Sequence, residues 1–138
     1  HTPIPYDGIQ RGMDDLNHSK KSYDGSRILL LGLADKKDVD DPRESPSFKL
    51  IELLQEKGAE VLYNDPHIPK IPPVRKYSFS MDSTELTQET LTTVDCVLLA
   101  TDHSAYDYQF ILDHADLIMD PRNAFTGLKG AAEKVIQA

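Results

Sequence analysis

"RILLLGLADKKDVDDPRESPSFKLIELLQEKGAEVLYND", residues 27–65, is the stretch whose reading decides the fold. Ile28 to Leu31 are apolar at every position, which suits a central parallel strand covered on both faces. Gly32 ends that run. Ser45 is placed to cap a helix and Pro46 to begin it, where a missing N–H costs nothing. Phe48, Ile51 and Leu54, flanked by Leu50 and Leu53, then recur at helical spacing and predict a buried stripe. Gly58 closes the helix in the left-handed conformation, and "EVLYND" follows as a second strand. Strand, loop, helix and strand make a βαβ unit, whose crossover is right-handed by rule.

The rest of the chain continues the alternation. "TELTQETLTTV" reads as a short helix capped by Thr84 or Ser83, "DCVLLATDH" as a buried strand, "SAYDYQFILDHA" as a helix and "DLIMD" as a final strand. "GLKGAAEKVIQA" offers a last, weaker helix. "PHIPKIPPVRK", residues 66–76, carries four prolines and reads as an extended surface excursion. Four strands interleaved with helices predict an α/β fold, an open, mainly parallel sheet flanked by helices. Residues 1–25 are polar and read as a linker or a short, loosely started helix, leaving 26–138 as the domain.

At 138 residues the chain is long enough for one buried core. A net charge of −8 argues against a nucleic-acid partner, which would need a basic face to displace counterions. It leaves room for a small anion held by a few local cations. No apolar run is long enough to span a membrane, and no signal-peptide core is present. A single cysteine, Cys96, cannot form an internal disulfide, which makes a reducing cytoplasm the expected location.

Open α/β sheets bind ligands outside the carboxyl ends of their strands. Here those ends carry residues 32–43, 64–67, 101–103 and 120–123, the most polar segments adjoining apolar strands. Gly32 is followed by Leu33, Ala34 and Asp35, so the chain lacks the second glycine of a dinucleotide turn, and no NAD site is expected in it. The loop offers Lys36, Lys37 and Arg43 instead, and the last strand delivers Arg122. Such side chains can neutralise a diphosphate, or they can simply be solvated charges on a long loop. Asp38, Asp40, Asp41 and Glu44 lack the glycine and spacing of a calcium loop, so no metal site is expected from them. They serve instead to pair with Lys37 and Arg43. Cys96 reads as a core hydrophobe. Asp102 and His103 read as a strand end and a helix cap, because adjacent residues of a strand point opposite ways. His67 has no obvious partner. Neither a Ser–His–Asp constellation nor a zinc-type spacing can be assembled, and no catalytic residue is expected.

Taken in order, "GLADKKDVDDPRESPS", "GAEVLYNDPHIP", "DCVLLATDHSAYDY" and "DLIMDPRNAF" resemble the C-terminal domain of the UDP-glucose/GDP-mannose dehydrogenase family. The resemblance runs from Ser26 to Ala138. It is greatest to the branch that oxidises UDP-N-acetylglucosamine or UDP-N-acetylmannosamine to the uronic acid, for surface polysaccharide precursors. It implies a Rossmann-like, three-layer α/β/α domain that closes over the nucleotide end of a UDP-sugar. It also implies partners absent from this chain: an NAD-binding domain, and a middle domain that carries the catalytic cysteine, which Cys96 does not match. Residues 1–25 then resemble the end of the helix joining the middle domain to this one.

Within the resemblance, Lys36 matches a lysine that contacts the UDP-sugar and Arg122 an arginine that reaches the nucleotide. Arg43, with Glu44 and Ser45, matches a signature that shapes the loop. Asp35 departs, because the family carries Tyr or Phe there. A like charge about 5 Å from a phosphate costs on the order of 3 kcal/mol at an effective dielectric of about 20. The second reading that follows is a non-catalytic interaction module that keeps the fold and has lost the nucleotide pocket.

Overall fold

The computed structural model of the chain describes residues 25–34, 37–38, 46–71 and 81–136. Among the described residues five strands form one sheet in the order β2-β1-β3-β4-β5: β1 Arg27–Leu31, β2 Glu60–Asn64, β3 Cys96–Leu99, β4 Ile118–Met119 and β5 Val135–Ile136. Every pairing is parallel. Four helices connect them: α1 Pro46–Glu56, α2 Gln88–Thr93, α3 Tyr108–His114 and α4 Ala131–Lys134. The strand order reverses between β1 and β3, which is the topological switch point of a doubly wound, Rossmann-like sheet.

β1 shows why the sheet needs cover on both sides. Ile28 and Leu30 join a core with Phe48, Leu50, Ile51 and Leu54 of α1. Leu29 and Leu31 join a second core with Leu91 of α2 and Ile111 and Leu112 of α3. Alternate side chains leave a strand on opposite faces, so an apolar run four residues long feeds two cores at once. Three layers result. Cys96 is fully buried in the first core, as a small hydrophobe would be.

Pro46 is the first residue of α1, and Gly58 turns the chain after it with φ +90°. Ser45, the expected cap, lies outside the described residues, as do residues 1–24 of the expected linker 1–25. Three expectations change. α2 is capped by Thr87, whose hydroxyl accepts from the Thr90 N–H, because Ser83 and Thr84 are engaged along the end of β2. The described part of the proline-rich stretch is no free excursion: Ile68 and Ile71 are buried in the first core, and Lys70 bridges to Asp82. The final stretch is helical only over α4. Its β-branched residues Val135 and Ile136 then pair with β4 as a fifth strand.

Candidate functional site

The described part of the site is built where β1, β2 and β3 end side by side. Gly32 turns the chain out of β1 with φ +89°, and a Cβ there would lie 2.5 Å from the Thr101 Cβ. Only glycine lets the exits of β1 and β3 approach so closely. The Gly32 N–H donates to the Asn64 carbonyl (2.8 Å), and the Thr101 hydroxyl donates to the Ala34 carbonyl (2.9 Å).

Asp65, one residue past β2 and 2% exposed, is the clamp. Its Oδ2 accepts from the N–H groups of Leu33 (2.7 Å) and Ala34 (3.0 Å), and its Oδ1 accepts from the His67 N–H (2.8 Å). Its Oδ2 also meets His103 Nε2 at 2.9 Å. Burial pushes the Asp65 carboxyl up, but the bonds from His103, Leu33, His67 and Ala34 outweigh it and hold it below the usual carboxylate range.

His103 is fully buried, and its two nitrogens have different jobs. Nδ1 accepts from the Asp38 N–H at 2.8 Å, so the ring proton belongs on Nε2, where it is donated to Asp65. Asp38 in turn takes the Ser104 N–H (2.7 Å) and hydroxyl (2.8 Å) on its carboxylate. The Ser104 N–H and then the hydroxyl draw the Asp38 carboxyl below its ordinary value. Ala34 is fixed by Thr101 and Asp65, and Asp38 by His103 and Ser104.

Two tyrosines close the floor. Tyr106 donates to the Asn64 carbonyl (2.8 Å) and Tyr108 to the His103 carbonyl (2.7 Å). Burial, then the nearby Asp65 and Tyr108, push the Tyr106 phenol well up; burial and the charges of Asp102, Asp120 and Asp38 do the same to Tyr108.

Of the cations singled out in the sequence, Arg122 is described. Asp120, fully buried at the end of β4, caps its own turn by accepting from the N–H groups of Arg122 (3.0 Å) and Phe125 (3.0 Å). That turn carries Arg122 back so that its Nε donates to the Ala100 carbonyl (3.0 Å), at the exit of β3. Lys37 is exposed beside Asp38. Asp35, Lys36 and Arg43 lie outside the described residues.

The expectation that Asp102 and His103 end a strand and cap the next helix needs correcting. The cap of α3 is Asp107, whose carboxylate accepts from the Phe110 N–H, and His103 turns inward to Asp65. Local spacing could not show this, because the partners are 38 residues apart and meet only once β2 and β3 flank β1. Among the described residues no helix is long and apolar enough to cross a membrane.

A parallel, doubly wound sheet with its polar groups gathered at one switch point defines a Rossmann-like α/β domain of the ligand-binding kind. Residues 29–127 match the pattern described as "UDP-glucose/GDP-mannose dehydrogenase family, UDP binding domain", and the chain belongs to that family. It is 32% identical over 127 residues to the UDP-glucose 6-dehydrogenase AglM of Haloferax volcanii, covering 90% of this chain and 29% of that protein. It is 33% identical over 94 residues to the UDP-N-acetyl-D-mannosamine dehydrogenase of Escherichia coli K12, covering 67% and 22%. A solved UDP-glucose dehydrogenase from Pyrobaculum islandicum superposes with TM-score 0.66 at 25% identity, over 98% of this chain and 30% of that one. The NDP-N-acetyl-D-galactosaminuronic acid dehydrogenase of Methanosarcina mazei shares the fold, with TM-score 0.72 at 23% identity over 96% and 27%. The chain thus spans less than a third of the length of these relatives.

Proposed function

We propose that this chain binds the diphosphate end of a UDP-sugar in the crevice outside β1 and β3. It does so as the UDP-binding part, residues 26–138, of an NAD-dependent nucleotide-sugar 6-dehydrogenase. The observation that carries this reading is the placement of Arg122. A buried aspartate folds its turn back, and the Ala100 carbonyl aims its guanidinium at the exit of β3. Lys36, which the resemblance matches to a lysine that contacts the UDP-sugar, supplies the second cation in this reading. Two cations at a mouth can hold a diphosphate in spite of a net charge of −8, because charge-assisted bonds act locally.

In this reading the oxidation of the sugar C6 alcohol to a carboxylate takes place elsewhere. NAD and the catalytic cysteine belong to parts of the enzyme for which this chain has no residues, and residues 1–25 are the join to them. A substrate of the UDP-N-acetylglucosamine or UDP-N-acetylmannosamine type, a product destined for surface polysaccharide and a cytoplasmic location complete the proposal.

Titration calorimetry of the chain with UDP and with uridine tests it. UDP should bind in preference to uridine, and Arg122→Ala should weaken UDP by tenfold or more, the value of one lost charge-assisted bond. No heat at millimolar UDP, or equal binding of UDP and uridine, would overturn the reading. Asp35 gives the rival interaction-module reading its footing. If the wild-type chain is silent and Asp35→Phe binds UDP, the pocket was lost to that one carboxylate.

A further inference from the structure

His67 and His103 meet edge to face, with ring centroids 4.7 Å apart, beside the turn that carries Asp38. One ring nitrogen from each histidine and one Asp38 carboxylate oxygen all lie within 4.8 Å of one another. His103 Nδ1 and Asp38 Oδ1 are 3.8 Å apart. The three residues come from three different loops, after β2, after β3 and after β1.

Two features set this trio apart from an ordinary polar cluster. First, His67 Nε2 is buried and has no hydrogen-bond partner. A buried nitrogen left in that state has lost its water and gained nothing in return unless something else occupies it. Second, the far nitrogen of His103 is already held by a buried carboxylate, Asp65, at 2.9 Å. A carboxylate behind one imidazole nitrogen fixes the tautomer, turns the other nitrogen's lone pair outward and raises its basicity, the arrangement that metal-bound histidines use.

We infer that Asp38, His67 and His103 form a divalent transition-metal site that clips the three loops together at the mouth of the crevice. Two imidazoles and a carboxylate are the donors of a tetrahedral Zn2+ ion with one position left open; calcium and magnesium would want oxygen donors throughout. The two carboxylates nearby, Asp38 and Asp65, also carry the charge that a dication neutralises. Asp38 keeps its bonds to Ser104 and binds through its remaining lone pairs. The one bond the ion must displace is Asp38 N–H to His103 Nδ1, so loading the site moves the Asp38 amide. Spacing along the chain hid the trio, because its members are joined by the sheet and not by sequence. The inference does not rest on the nucleotide reading, and its test contains no nucleotide.

The test is calorimetric titration of the full chain with zinc chloride, alongside Co2+ absorption and histidine side-chain 15N spectra. The expected result is one saturable micromolar site and a tetrahedral Co2+ spectrum, with shifts at the ring nitrogens of His67 and His103 and at the Asp38 amide. His67→Ala, which removes no hydrogen bond of that side chain, should weaken Zn2+ by at least about tenfold. His103→Gln should likewise weaken Zn2+, because an amide supplies no imidazole nitrogen to the ion. Absence of a saturable site would overturn the inference, as would unchanged affinity in His67→Ala. The wild-type 15N spectra decide the matter even where a variant is unstable, since unshifted His67 and His103 rings under saturating Zn2+ place the ion elsewhere.

Discussion

Asp65 and Asp120 make an instructive pair. Each is a buried aspartate just past the carboxyl end of a strand, and each precedes a proline. Asp120 uses both oxygens on its own turn, for the N–H groups of Arg122 and Phe125 two and five residues away. Asp65 gives a single bond to its own turn, at His67, and spends the rest on Leu33, Ala34 and His103, which are 31 to 38 residues distant. One carboxylate shapes a loop; the other fastens three loops into one wall. The β4 exit can therefore be built locally, whereas the β1–β2–β3 exit exists only when the sheet is assembled.

The largest test of this contrast is Asp65→Ala. It orphans four donors at once, three backbone N–H groups and the His103 ring. The expected loss is about 4 kcal/mol, a large share of a domain's total stability. Urea unfolding should show it. Hydrogen exchange should show protection lost first at Leu33, Ala34 and the Asp38 amide. Asp120→Ala orphans two donors in one turn and should cost about 2 kcal/mol. Its exchange effects should stay within residues 120–125, and UDP affinity should fall as Arg122 loses its aim. Equal losses for the two variants, or spread of the Asp120→Ala effects to β1, would break the comparison.

The same contrast separates what could be read in the sequence from what could not. "RILLL", Pro46 and Gly58 announced themselves because strand burial, helix start and helix stop are each decided within a few residues. The bonds of Asp120 to its own turn span only two and five residues, so they too are decided locally, although they were not singled out in the sequence. The inward turn of His103 was invisible, because local rules pair it with Asp102 and only the strand order brings Asp65 to it. The fifth strand was missed for a related reason. Two β-branched residues after a helical pattern make a strand only when an unpaired edge, here β4, is waiting beside them. The cations of the crevice were legible through resemblance more than through spacing, and of them Arg122 now has a described position.

The substitution with the smallest expected cost at neutral pH sharpens the comparison on the β2 side. Tyr63, fully buried on β2, donates its hydroxyl to the Ile68 carbonyl (3.0 Å), spanning the turn that holds Asp65 and His67. Burial, and then the charges of Asp82 and Asp65, push this phenol up from 10 to about 12. A raised folded-state value means the phenol's contribution is fully present below pH 10, where folded and unfolded chains both keep the proton. It is lost as pH climbs from 10 to 12, because the unfolded tyrosine ionises first. Over that window the stability tied to Tyr63 should fall by roughly 2–3 kcal/mol. Tyr63→Phe should cost only about 1 kcal/mol at neutral pH, the net worth of one hydrogen bond. It should also flatten the decline above pH 10 relative to the wild-type chain. Urea midpoints measured at pH 7, 10 and 11 for both proteins supply the check. Parallel declines would mean that the β2 turn gains nothing from the buried phenol, and that Asp65 holds the wall without it.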